Sequence, residues 1–152
     1  MMKHPHRAAR ITCVFLLLSA AAYGQSAADM ESILNAGEIT VSQAAYVALA
    51  AALESPPENP AAAFDLAREK GWLPAKAERG SALTLGGLSL LVMKSFNLKG
   101  GLLYRIFPGG RYAYREMTSR GFIEGRSWPN LKVSGEQFLR ILGKVLAEGE
   151  AE

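Results

Sequence analysis

The chain is expected to fold as an all-α domain, and three observations lead there. Five stretches repeat apolar residues at the three-and-four spacing of a helix buried along one side. Glycines and a proline-rich break punctuate them where helices stop. Two of the helical segments also recur, without a gap, when the chain is shifted by 50 residues.

The elements follow in order. Met30, Ile33 and Leu34 sit at helical spacing and run into Asn35-Ala36-Gly37, where Gly37 is a natural stop. Val41–Leu53 is Ala-rich, with Tyr46, Leu49, Ala50 and Leu53 on one stripe, and Ser55-Pro56-Pro57-Glu58-Asn59-Pro60 breaks it. Ala61–Lys70 is a second helix ended by Gly71. Thr84–Phe96 is a third, with Leu88, Leu91 and Val92 on its stripe. Tyr112–Arg120 is a fourth, ended by Gly121. Ser134–Leu146 is a fifth, striped by Phe138, Ile141, Leu142 and Val145. The acidic end, Ala147–Glu152, is expected to fray. Leu102–Phe107, Pro108-Gly109-Gly110 and Arg111–Tyr114 form a β-hairpin or a structured loop entering the fourth helix; the internal repeat favours the loop.

The 50-residue shift lays Phe64 on Tyr114, Ala67 on Met117, and Lys70-Gly71-Trp72-Leu73 on Arg120-Gly121-Phe122-Ile123. It also lays Leu83-Thr84 on Val133-Ser134 and Leu88, Leu91, Val92 on Phe138, Ile141, Leu142. Thr84 and Ser134 stand where a hydroxyl caps a helix N-terminus. A third copy of the second helix appears at a shift of 92, with Val41-Ser42 on Val133-Ser134 and Tyr46, Leu49, Ala50 on Phe138, Ile141, Leu142. The expectation is about two and a half helix–loop–helix repeats (39–54, 61–98, 111–147) in one domain, 25–147, with an acidic tail at 148–152.

Residues 1–24 read as a signal peptide. Lys3, Arg7 and Arg10 precede a short apolar run, Ile11–Ala22, and Ala22-Tyr23-Gly24 offers a cleavage site. The run is shorter than the roughly 20 residues a membrane span needs, so no span is expected after cleavage. Cys13, His4 and His6 are the only cysteine and histidines in the chain and would leave with it. An exported protein of the periplasm or cell envelope follows.

Charge is unevenly spread. Residues 25–93 hold eight acids and four bases, residues 94–144 ten bases and three acids. A basic half suits an anionic partner.

Loss of imidazole and thiol removes Ser-His and Cys-His catalysis and the usual zinc ligands. Asp29 and Asp65 are the only aspartates, too few for an Asp-rich calcium loop, and no phosphate-binding glycine fingerprint occurs. No catalytic residue, metal or cofactor is assigned. One scheme survives, a carboxylate pair cleaving wall glycan, drawn from Glu116, Glu124 and Glu136.

The candidate ligand-binding surface is the aromatic and basic run Tyr104, Arg105, Arg111, Tyr112 and Arg115, extended by Lys99, Arg120 and Arg126. Aromatic faces stack on sugars and Arg holds anions through paired hydrogen bonds. The other reading, favoured for the aromatics, is that Tyr104, Phe107 and Tyr114 are core and the arginines merely exposed. Nucleic acid, which the same composition suits, is set aside because the protein is read as exported.

Gly121-Phe122-Ile123-Glu124-Gly125, Trp128-Pro129-Asn130 and Val133-Ser134-Gly135-Glu136-Gln137-Phe138 resemble the S-layer homology module. That module joins a helix ending in Gly and two aliphatics, a Pro-Asn-like turn, and a helix opening Ile-Thr-Arg-Ala-Glu-Phe. Val41–Tyr46 and Leu83–Leu88 repeat that opening more weakly, and the likeness spans roughly Ile39–Leu146. It implies a helical-repeat fold and attachment to cell-wall polysaccharide. The charged Arg and Glu of the family's opening are replaced here by Gln43, Leu85 and Gly135 and by Ala45, Gly87 and Gln137. The functional expectation is a non-catalytic envelope protein holding wall polymer or another envelope protein. The alternatives are the glycan hydrolase and a structural subunit of a larger envelope assembly.

Overall fold

The computed structural model describes residues 27–150 apart from Arg126, so the expected leader and the last two residues lie outside the described residues. Seven helices are formed among the described residues. They are α1 (27–34), α2 (Val41–Ala52), α3 (Pro60–Glu69), α4 (Leu85–Ser95), α5 (Leu102–Ile106), α6 (Gly110–Ser119) and α7 (Gly135–Gly149). Extended pairing among the described residues is confined to two isolated bridges, Thr40 with Ala82 and Thr84 with Lys132.

Three helices start the same way. A helix leaves its first N–H groups without internal partners. At α2, α4 and α7 a hydroxyl meets one of them: Thr40, Thr84 and Ser134 accept from the N–H of Gln43, Gly87 and Gln137 at 3.3, 3.2 and 3.2 Å. Gln43 also returns its side-chain oxygen to the Thr40 N–H at 3.1 Å, closing a capping box. The first helical N–H of each is taken by another loop: Val41 donates to Ser81, Leu85 to Leu131 and Gly135 to Ala36.

The residues just before the caps meet at the centre. The N–H of Ile39 donates to the carbonyl of Val133 at 2.9 Å. Val133 donates to Leu83 at 2.9 Å, and Leu83 donates to Ile39 at 2.8 Å. Three strands of backbone thereby close a ring of hydrogen bonds, and all three side chains are buried in the core.

Helix α4 runs through the middle. Every residue from Leu85 to Met93 is buried, as expected of a helix apolar on all sides. Its glycines let neighbours approach. A Cβ on Gly86 would lie 3.1 Å from the Pro129 carbonyl, and one on Gly110 would lie 2.8 Å from the Gly86 carbonyl. Helices α4 and α6 therefore touch backbone to backbone. Phe64, Leu88, Met117 and Phe138 fill the remaining core. Gly71 and Gly121 end α3 and α6 at φ +67° and +77°, a left-handed conformation that glycine adopts without a steric penalty.

The structure corrects four expectations. Leu102–Phe107 is neither hairpin nor loop: it makes the one-turn helix α5, and α6 starts two residues earlier than predicted, at Gly110. Helix α2 buries Val41, Ala44, Ala45, Ala48 and Leu49, whereas Tyr46 and Leu53 are half-buried and Ala50 is exposed. The buried side is the one that packs on α3 and α4, and the helix is capped at Thr40, two residues before Ser42. Pro60, read as a breaker, occupies the first turn of α3 behind the Asn59 cap. The acidic end is helical to Gly149, with Glu148 facing Arg120.

Candidate functional site

The candidate surface is built on α5 and the start of α6. Asn97, at φ +52°, turns the chain after α4, and the Leu98 N–H closes on the Met93 carbonyl at 2.9 Å. Lys99-Gly100-Gly101 then leads into α5. A Cβ on Gly100 would overlap the Tyr104 ring, and one on Gly101 would lie 2.9 Å from a Glu116 carboxylate oxygen. The glycine pair thus lets α5 fold down until Tyr104 is buried against α6.

Tyr104 is an anchor of this element. Its hydroxyl is buried and meets no hydrogen-bond partner among the described residues. Burial, and then the nearby Glu116 carboxylate, push its ionisation above the usual phenol range. The Lys94 ammonium sits 5.7 Å from the ring centroid.

Beside it opens a cleft of about 680 Å³, lined by Lys94, Leu98, Lys99, Tyr104, Arg105 and Pro108. Three cations share its rim. Arg111 and Arg115 continue the positive charge along α6, both exposed. Among the described residues no ion pair engages Arg105, Arg111 or Arg115. Between Glu78 and Glu116 the chain carries no acid at all. Tyr112 is half-buried and stacks on Phe107 with ring centroids 5.9 Å apart.

The predicted residues divide into three groups. Arg105, Arg111 and Arg115 are exposed, with Tyr112 partly so, on one basic face. Tyr104 belongs to the core and supports that face from below. Arg120 is occupied by internal bonds: it donates to the Lys99 carbonyl and stands 3.7 Å from Glu148. It fastens α6, α7 and the Lys99 loop together. Arg126 lies outside the described residues. Of the aromatics open to two readings, Phe107 is exposed, and half-buried Tyr114 shares a 2.8 Å hydrogen bond with Ser127.

The sequence reading missed the exposed apolar residues of α5: Leu102, Leu103 and Ile106, which flank Arg105 and stand clear of the core. Their three-and-four spacing after a glycine pair was the available signal.

Of the three candidate carboxylates, Glu116 lies beside Gly101 and Tyr104, and the other two are engaged in ion pairs. Glu124 pairs with Lys144 at 2.7 Å and Glu136 with Arg140 at 2.7 Å, both on exposed surface. The Lys144 ammonium holds the Glu124 carboxyl below its usual range. Among the described residues no group of three His, Cys, Asp or Glu side chains could hold a metal ion, and no helix is long and apolar enough to cross a membrane.

A second hollow, about 800 Å³, lies between α1, α2 and α7. Met30, Tyr46, Val47, Leu139, Leu142 and Leu146 make it largely apolar.

Comparison with known protein families, with curated proteins and with solved structures finds no match to this chain.

Proposed function

We propose that this chain is an exported, non-catalytic binding module of the cell envelope, built from S-layer-homology-like helical units. Its contact face is the basic surface from Lys94 to Arg115. The observation that carries this reading is that face: five cations with no acid between them along the chain, three of them on the rim of a cleft next to an exposed apolar helix. Such a field draws an anionic partner, and wall polymer or another envelope protein supplies one.

Three helical units, in place of two and a half, give the repeat its best account. Helix α1 takes the part of α3 and α6, and Thr40 takes the part of Thr84 and Ser134. The ring through Ile39, Leu83 and Val133 supports it, as do the matching donations from Val41, Leu85 and Gly135. In that register the family's Arg position is Val41, Leu85 or Gly135. Its Glu position is Gln43, Gly87 or Gln137. The charged pair of the family is absent from every copy, so binding is assigned to the α5–α6 face.

Glu124, held ionised by Lys144, is poorly suited to the raised-pKa acid that a glycosidase requires, so the hydrolase ranks below a binding role. The hollow between α1, α2 and α7 favours one further reading, a subunit whose apolar side is covered within an assembly.

Incubating the processed protein with purified wall sacculi tests the proposal. Retention that is lost when Arg105, Arg111 and Arg115 all become Ala supports it. Retention unchanged by those substitutions removes the basic face from the account.

A further inference from the structure

We infer that α5 docks this protein onto an anionic lipid surface, its apolar crest entering the interface while the flanking cations meet the headgroups. The inference rests on reading the Lys94–Arg115 surface as the binding face, and it names the partner.

The crest is the first ground. Leu102, Leu103, Ile106 and Phe107 are 70, 45, 56 and 57% exposed. At the helical repeat Leu102, Leu103 and Ile106 fall within an arc of about 100°, on the side away from buried Tyr104, and Phe107 follows as the residue that ends α5. Single exposed apolar residues are ordinary, but three large ones on a five-residue helix, with a fourth beside them, are not accounted for by folding. Nor is the crest loose. The Gly100–Gly101 approach and the buried Tyr104 ring fix α5 against α6, so the apolar side chains are held outward.

The charge pattern selects the partner. Lys94, Lys99 and Arg105 line the cleft beside the crest, and Arg111 and Arg115 follow on α6. Long basic side chains can lie along apolar surface and place their charges at the level of headgroups. An apolar crest ringed by Lys and Arg is the pattern of an interfacial anchor, whose strength sums buried apolar area and attraction to anionic lipid. A soluble polysaccharide would use the cations but leave Leu102, Leu103 and Ile106 in water, since aliphatic side chains do not stack on sugar rings. Trp128 is a further exposed aromatic, at 67%. Its neighbour Pro129 and the α6 residue Gly110 both bring their carbonyls against Gly86. Indole rings favour the membrane interface.

The test is co-sedimentation of the processed chain with vesicles of phosphatidylglycerol and phosphatidylcholine, and with phosphatidylcholine alone. The same preparation is incubated with wall sacculi. The expected result is binding to the anionic vesicles that weakens in high salt. It should fall by about tenfold or more in the triple variant Leu102→Ser, Ile106→Ser, Phe107→Ser. Leu34→Ser, an exposed position outside the proposed contact face, should bind like the parent. If the triple variant does not fold, Leu102→Ser alone serves, and circular dichroism reports folding in each case. Anionic-vesicle binding unchanged by the crest variants overturns the inference. Retention on sacculi without vesicle binding also overturns it, while leaving the binding-face reading in place. Failure on both overturns both.

Discussion

The α3–α4 segment and the α6–α7 segment begin 50 residues apart in the chain, and α3 and α6 have equal length. They share the glycine stop, the paired apolar residues after it, and the hydroxyl cap of the second helix. They differ in how they are finished. Helix α3 opens with an Asn59 side chain that accepts from Ala62 at 2.9 Å. Its outer surface is closed by Arg79, which reaches both Asp65 oxygens at 2.7 Å while lying 5.7 Å from the Phe64 ring. Helix α6 opens at Gly109 with no side-chain cap, and among the described residues its cations Arg111 and Arg115 form no ion pair. One segment is closed by internal bonds; the other leaves charge and apolar surface exposed. The lesson is that similar local signals can be finished in different ways, and the proposed contact face lies where the second segment departs from the first.

The comparison can be broken most severely at the start of the second helix. Position 85 is Leu and position 135 is Gly, because a Cβ at 135 would run into the Ile33 carbonyl of α1. Gly135→Ala is expected to cost about 3 kcal/mol or more, as backbone must move to admit it. Gly143→Ala, in the same helix with nothing within 4 Å, should instead gain about 0.5–1 kcal/mol. Urea denaturation of the two variants measures the contrast.

A smaller contrast concerns the first helices. Asn59→Ala should lose about 1 kcal/mol, while Gly109→Ser, at a backbone conformation suited to a cap, should gain a few tenths. Equal effects from the two would show that the caps do not distinguish the segments.

Tyr104 supplies a gain of comparable size. Removing a buried hydroxyl that meets no partner should make Tyr104→Phe more stable by up to about 1 kcal/mol. The parent has an ionisation raised in the folded state. Its contribution is therefore complete below pH 10 and is lost as pH climbs through the raised value. Thermal melting between pH 9 and 12 should show a steeper alkaline decline in the parent than in the variant.

The smallest expected effect is at Glu124, whose carboxyl is lowered by Lys144. That contribution is present above the ordinary glutamate range and fades as pH falls through the lowered value. Glu124→Gln should flatten the acid limb of the stability curve slightly, because the pair is solvent-exposed.

Local chemistry made much of this architecture legible. Thr84, Ser134, Gly71 and Gly121 each act within a turn or two of their own position, and the sequence reading placed all four. Thr40 was missed because Thr40-Val41-Ser42 offers two hydroxyls, and the choice depends on where Ile39 joins Leu83 and Val133, a tertiary matter. Helix α5 was missed for a similar reason: it has no side-chain cap and is held by glycine and Tyr104 contacts with α6. Leu102-Leu103 and Ile106-Phe107 read as well for a buried strand as for an exposed crest. Arg120 looked like its fellow arginines, and only its distant partners, the Lys99 carbonyl and Glu148, separate it from them.

The loop of three backbone donations has a consequence for size. Stacked helical arrays are open at both ends, so a copy can be added or deleted and the remainder still pairs with its neighbours. Here the first and last of the three joined segments are themselves bonded, Ile39 to Val133 and Gly135 to Ala36. The ring is closed, so removing the segment that carries Leu83 would leave the Val133 N–H and the Ile39 carbonyl without those partners, and a fourth segment could enter only by breaking one of the three bonds.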